Sequence, residues 1–236
     1  MKKHAYLFAS ISIFLVFVVF TILVKTVDVK FIYNNTYLGF YSLNYKFGNW
    51  VTEFGKYEIM SKFSDIIFYL SFGYVLVLLV FAIIELVKTK SLKKIDRRYY
   101  VLLGGYVVTA FLYLMFEIMK INYSPASVVG DLKPSYPSSH VFIGCVLYLL
   151  NSYTALKLLK PEKDWIKDLV YGATIVICVL LTFTRALSTK HWLTDVIASI
   201  ILVCFVYTLF IYCSSKFVSN ESKKENEEQS LSQLDK

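Results

Sequence analysis

The chain predicts an all-α membrane fold, a polytopic bundle of six transmembrane helices, on three observations. Hydrophobic residues make up 57% of its 236 positions, and its mean hydropathy of +0.56 lies well above that of a soluble domain. Apolar runs recur over roughly 5–24, 65–87, 99–119, 140–158, 168–184 and 193–213, each close to the ~20 residues a bilayer core demands. The basic residues gather in short connections, with Lys88, Lys90, Lys93, Lys94, Arg97 and Arg98 in one and Lys157, Lys160, Lys163 and Lys167 in another. The net charge of +8 therefore follows the positive-inside rule and does not mark a nucleic-acid surface.

Taken in order, the first run follows Met1-Lys2-Lys3-His4, and no small-residue cleavage site follows at Val24, Lys25, Thr26 and Val27, so it reads as an uncleaved anchor. Residues 25–64 form an aromatic-rich outer connection. Within it Trp50, Phe54, Tyr57, Met60 and Phe63 recur at helical steps with Glu53, Lys56, Glu58 and Lys62 between them. That pattern predicts one amphipathic interfacial helix serving as an aromatic belt in preference to a substrate gate. The connection from Lys120 to Ser139 holds Pro125, Pro134 and Pro137 and is expected to be extended and rigid. The fourth run carries Asn151, Ser152 and Thr154, which should hydrogen-bond to neighbouring helices instead of meeting lipid. Residues 214–236 are polar with mixed charge and read as a disordered cytoplasmic tail, leaving residues 1–213 as the six-span domain.

Cys145, Cys178, Cys204 and Cys213 fall within or at the ends of apolar runs without metal-ligand spacing, and are expected to be free core thiols. Placing Lys2, Lys3 and the two basic connections inside puts both termini in the cytoplasm. The connections after the first, third and fifth spans then lie outside. The fourth and fifth spans form a hairpin, which brings His140 and His191 to the same membrane face.

Two motifs sit on that face, Pro137-Ser138-Ser139-His140 and Thr184-Arg185-x5-His191-x3-Asp195. His191 and Asp195 stand one helical turn apart, the spacing at which side chains meet. A neutral imidazole attacks phosphorus when one ring nitrogen keeps its proton on a partner and the other presents its lone pair, so His191 is the candidate nucleophile and Asp195 its orienting carboxylate. The planar fork of Arg185 suits non-bridging phosphate oxygens. His140 opens the fourth span, where free helix N–H groups attract anions, and is the candidate acid and base. Ser138 and Ser139 add hydroxyl or backbone donors.

These motifs resemble the second and third signatures, P-S-G-H and S-R-x5-H-x3-D, of the type 2 phosphatidic acid phosphatase family, with Ser139 replacing the glycine and Thr184 the serine. The resemblance covers the third to sixth spans, and the first two by topology. It implies a six-span lipid phosphatase with His191 as nucleophile, Asp195 as its partner, His140 as acid and base and Arg185 as phosphate binder, needing no metal and no cofactor. The family's first signature, K-x6-R-P, is altered: Pro125 matches, but Ser124 and Glu117 stand at the arginine and lysine positions. Lys120, Lys133 and Lys190 are the lysines that could restore the missing phosphate-binding charge.

The expected activity is hydrolysis of a phosphomonoester or diphosphate of a membrane lipid at the outer face of a plasma membrane, through a phosphohistidine. An isoprenoid diphosphate such as undecaprenyl diphosphate is favoured, with phosphatidate and phosphatidylglycerol phosphate as rivals. Abundant Lys, Asn, Tyr and Ile suit a bacterial source. Two other classes stay open. One is a metal site formed by His140, His191 and Asp195. The other, motivated by Ser124 and Glu117, is a lipid-phosphate binding or transport protein that keeps the scaffold without turnover.

Overall fold

The structure, a computed structural model, describes residues 2–32, 36–126 and 132–234, with side chains described between residues 4 and 217. Among the described residues seven α-helices carry the fold: α1 (Lys2–Thr26), α2 (Tyr41–Phe54), α3 (Tyr57–Thr89), α4 (Arg97–Met119), α5 (Ser139–Leu159), α6 (Asp164–Ala186) and α7 (Leu193–Leu234). All but α2 are long and apolar enough to cross a bilayer, so the chain is a multi-pass membrane protein with six spans. A two-residue ladder pairs β1 (Lys30–Phe31) with β2 (Tyr37–Leu38) in the connection between α1 and α2.

The fourth span, α5, is the hub, packing against α3, α4, α6 and α7, while α1 lies along α7. Within the apolar stretch of α5, 78% of residues are buried by protein, against 11–39% in the other spans. Ser152 and Asn151 are met by other helices, as expected, whereas Thr154 Oγ1 and Asn151 Nδ2 are buried without a hydrogen-bond partner. Ser152 Oγ lies 2.7 Å from Thr174 Oγ1 on α6, and the Tyr106 hydroxyl on α4 donates to Asn151 Oδ1. Around these, Phe142, Val146 and Leu150 are fully buried.

Lys90, Lys120 and Lys160 end α3, α4 and α5 in left-handed backbone, each N–H returning to a carbonyl of its last turn. A lysine there also sets positive charge against the negative end of the helix dipole. Lys120 thus serves α4 as an exposed cap.

The expectation for the connection between the first two spans changes in detail. The single amphipathic helix from Trp50 is divided at Gly55, whose φ of 70° terminates α2. Tyr57, Met60 and Phe63 instead open α3, a 33-residue helix about 50 Å long. Upstream, a Cβ at Gly39 would stand 1.7 Å from the Val24 carbonyl oxygen, so only glycine lets the connection fold back on the end of α1. Ser42 N–H donates to Asp28 Oδ2 and Phe40 N–H to the Val27 carbonyl, closing that turn.

Residues 127–131 of the proline-rich connection lie outside the described residues, and the segments on either side of them pair with each other. Ser124 N–H donates to the Lys133 carbonyl at 2.9 Å and Ser135 N–H to the Asn122 carbonyl at 2.9 Å, around a bridge between Tyr123 and Pro134. The Tyr136–Pro137 peptide bond is cis.

All four cysteines are free, but they do not form a common core. Cys145 is buried, Cys178 and Cys213 are half-buried, and Cys204 faces outward, because α7 turns only one side to the bundle. Helix α7 continues to Leu234, through most of the stretch expected to be a disordered tail; side chains from 218 onward and residues 235–236 lie outside the described residues.

Candidate active site

At one end of the bundle α1, α4 and α6 finish while α3, α5 and α7 begin, and both motifs meet there. Arg185 lies in the last turn of α6, His191 in the short connection that follows, Asp195 in the first turn of α7 and His140 in the first turn of α5. Arg185, His191 and Asp195 are buried, and His140 is half-buried.

Arg185 is the centre of the arrangement. Its Nη2 stands 3.2 Å from His191 Nε2, while its Nη1 donates to Asp65 Oδ1 at 3.2 Å and Ser64 Oγ at 3.3 Å. Its Nε is buried without a hydrogen-bond partner. The same Asp65 oxygen lies 3.1 Å from His140 Nε2, so one carboxylate joins the phosphate-binding candidate to the acid-base candidate. The His140 ring stacks on Phe68 of α3 with centroids 4.2 Å apart, which fixes the imidazole plane.

The tautomer of His191 follows from its neighbours. Nδ1 is 2.9 Å from the Ser135 carbonyl oxygen, which can only accept, so Nδ1 carries the proton and Nε2 carries the lone pair. Arg185 then donates to Nε2. Burial, and after it the charge of Arg185, hold the His191 pKa well below the ordinary imidazole value.

Asp195 occupies a different place from the one its spacing suggests. Its Oδ2 is 3.9 Å from His191 Nδ1 and accepts instead from the Trp192 N–H at 3.1 Å, while Oδ1 accepts from Asn122 Nδ2 at 2.8 Å. Fully buried, it fastens the start of α7 to the proline-rich connection, the segment that presents the Ser135 carbonyl. The helix N-termini are also joined directly. Ser138 N–H donates to the Asp195 carbonyl at 3.2 Å and Ser199 Oγ to the Ser138 carbonyl at 3.0 Å. The Ser138 N–H, expected as an anion donor, is spent on this tie, whereas its hydroxyl is buried without a partner. Ser139 is half-buried as the first residue of α5.

The first-signature positions have other work. Ser124 Oγ donates to the Lys190 carbonyl at 2.7 Å and Trp192 Nε1 to the Tyr123 carbonyl at 2.7 Å, locking the α4–α5 and α6–α7 connections together. Glu117 is half-buried on α4, and Lys133 and Lys190 are exposed on their connections. Among the described residues no three His, Cys, Asp or Glu side chains form a group able to hold a metal ion.

Asp65, Ser64, Asn122, Ser135 and Asn44 complete the site, and the motifs did not point to them. Asn44 on α2 accepts from Thr194 N–H at 3.1 Å and donates to the Gly39 carbonyl at 2.9 Å, capping α7 from outside. Asn44, Thr52, Pro125, Thr189 and Trp192 line a cleft of about 230 Å³ that reaches His191. A usable signal existed for Asp65 alone: an ionisable residue at the edge of an apolar span is a functional candidate by default.

Six candidate membrane spans thus converge on a buried guanidinium beside a neutral imidazole. The PAP2 superfamily is matched over residues 108–219, which contain both motifs. Among solved structures, the crystal structure of a transmembrane PAP2-type phosphatidylglycerolphosphate phosphatase from Bacillus subtilis is similar at 20% identity, over 89% of this chain and 97% of that one, with a TM-score of 0.60. No curated protein sequence matches. The PAP2 superfamily match thus spans just under half of the chain, the part that carries both motifs, and the likeness to the solved structure extends the shared fold over most of the remainder.

Proposed function

We propose that the protein is an integral-membrane lipid phosphatase that works through a phosphohistidine. The observation that carries this reading is the His191 imidazole, whose Nδ1 proton is committed to the Ser135 carbonyl and whose Nε2 lone pair lies beside Arg185. In the first half-reaction Nε2 attacks phosphorus, and the bond to the leaving oxygen breaks with its electron pair. His140 enters this step as the imidazolium, gives its Nε2 proton to that oxygen and is left neutral, and Arg185 neutralises the charge on the non-bridging oxygens. In the second, water attacks the phosphohistidine, gives its proton to His140, and the P–N bond breaks to return the pair to Nε2 with release of inorganic phosphate. Asp195 acts through the connection that holds Ser135.

The substrate is a membrane lipid with a terminal phosphate or diphosphate. Phosphatidylglycerol phosphate, named for the Bacillus subtilis relative, stands beside phosphatidate and isoprenoid diphosphate as a candidate. On the charge pattern of the connections, both termini lie in the cytoplasm and the site at the outer face of a bacterial plasma membrane.

The test is phosphate release in detergent from a panel of lipid phosphates and diphosphates, with a chelator present, comparing the parent with His191→Ala. Release that disappears in the variant supports the reading. If the parent releases nothing from any lipid, the binding or transport reading takes its place, with Ser124 and Glu117 as the reason.

A further inference from the structure

We infer that Asp65 determines substrate specificity by limiting the negative charge the site accepts, so that a lipid phosphomonoester is preferred to a lipid diphosphate. This rests on the phosphatase reading above and deepens it.

The leaving oxygen must reach His140 Nε2 to collect its proton, and that nitrogen lies 3.1 Å from Asp65 Oδ1. With a phosphomonoester the group arriving there is an alcohol oxygen, which carries no charge once protonated. With a diphosphate it is the inner phosphate, which keeps at least one negative charge and departs as a lipid monophosphate. That charge would sit against the Asp65 carboxylate. The same oxygen of Asp65 engages Arg185 Nη1 at 3.2 Å, so part of the guanidinium charge is already matched before substrate arrives.

No other arginine can compensate, because the remaining two, Arg97 and Arg98, begin α4 at the opposite end of the bundle. The first-signature positions hold Ser124 and Glu117, neither of them cationic. Asp65 is half-exposed, its side chain at 41% against 8% for Arg185, which places it on the open side of the site where a substrate head group enters.

The experiment measures kcat/KM for the monophosphate and the diphosphate of one isoprenoid alcohol, using the full chain in detergent, for the parent, Asp65→Asn and Asp65→Ser. The parent is expected to favour the monophosphate by about tenfold or more, the scale of one like-charge contact in a half-exposed site. Both variants should bring the ratio toward one by gaining on the diphosphate. A purely structural role for Asp65 would lower both rates together and leave the ratio unmoved. A parent that prefers the diphosphate, or a ratio that folded variants leave unchanged, overturns the inference. Protection against thermal unfolding by inorganic phosphate and inorganic diphosphate supplies a readout without turnover. If the parent hydrolyses no lipid, the phosphatase reading fails, while stronger protection by phosphate than by diphosphate, equalised in Asp65→Asn, still upholds the role of Asp65. Equal protection in the parent overturns it.

Discussion

His191 donates its Nδ1 proton to the Ser135 carbonyl at 2.9 Å, while the Asp195 carboxylate, one helical turn along, stays 3.9 Å from the same nitrogen. The backbone of the proline-rich connection therefore fixes the tautomer, and Asp195 fixes the connection through Asn122 and the Trp192 N–H. Where a carboxylate alone sets a catalytic tautomer, its amide variant loses about 10⁴ in rate. Asp195→Asn is expected to lose only about ten- to a hundredfold in kcat, because the Ser135 contact survives. A folded Asp195→Asn protein as inactive as His191→Ala would show that Asp195 sets the tautomer directly.

Arg185 reaches His191, Asp65 and Ser64 with the two ends of one planar group. A lysine keeps the charge but places a single point donor there. Arg185→Lys should therefore reduce kcat/KM by about 10²–10³, the loss seen when a preorganised donor to a developing anion is removed. A reduction of less than about threefold in steady-state assays would mean that net charge alone holds the phosphate.

Stability should also depend on pH through His191. Its folded pKa lies well below the unfolded value near 6.5, so the unfolded chain takes up the proton first as pH falls. The contribution is present above about pH 6.5 and is lost progressively below it, at up to about 1.4 kcal/mol per pH unit. Thermal unfolding in detergent between pH 7.5 and 5.5 should show this decline, and His191→Asn should flatten it. Parallel curves for the parent and the variant would contradict a neutral, buried imidazole.

Asn44 lies 150 positions from its partner Thr194, yet it supplies the cap of α7. Truncation to alanine leaves the Thr194 N–H and the Gly39 carbonyl without it, at a cost of about 1–3 kcal/mol. A lowered unfolding temperature is the expected result, and an unchanged one would mean that water replaces the side chain.

The six spans were legible because a bilayer imposes a length of apolar sequence on each of them, and those lengths need no knowledge of tertiary contacts. Arg185, His191 and Asp195 were legible because a short connection and one helical turn keep them together in sequence as in space. What the spacing could not convey is which groups arrive from elsewhere. Ser135 lies 56 positions from His191, and Asp65 lies 120 from Arg185. Proximity of Asp195 to His191 along a helix suggested a contact that the pairing of the proline-rich connection supplies by another route. The break at Gly55 was similarly hidden, since the aromatic period runs across it and only the left-handed backbone there divides the helix.

The most direct test of the account is the trapping of the covalent intermediate. Purified protein mixed rapidly with a lipid monophosphate labelled at phosphorus, then quenched in alkali, should yield labelled chain bearing phosphohistidine at His191. The label should be absent in His191→Ala, and in His140→Ala phosphorylation and hydrolysis should both slow. Inorganic phosphate released by the parent at full rate with no labelled chain at any time, or release retained in His191→Ala, would contradict a phosphohistidine route through His191.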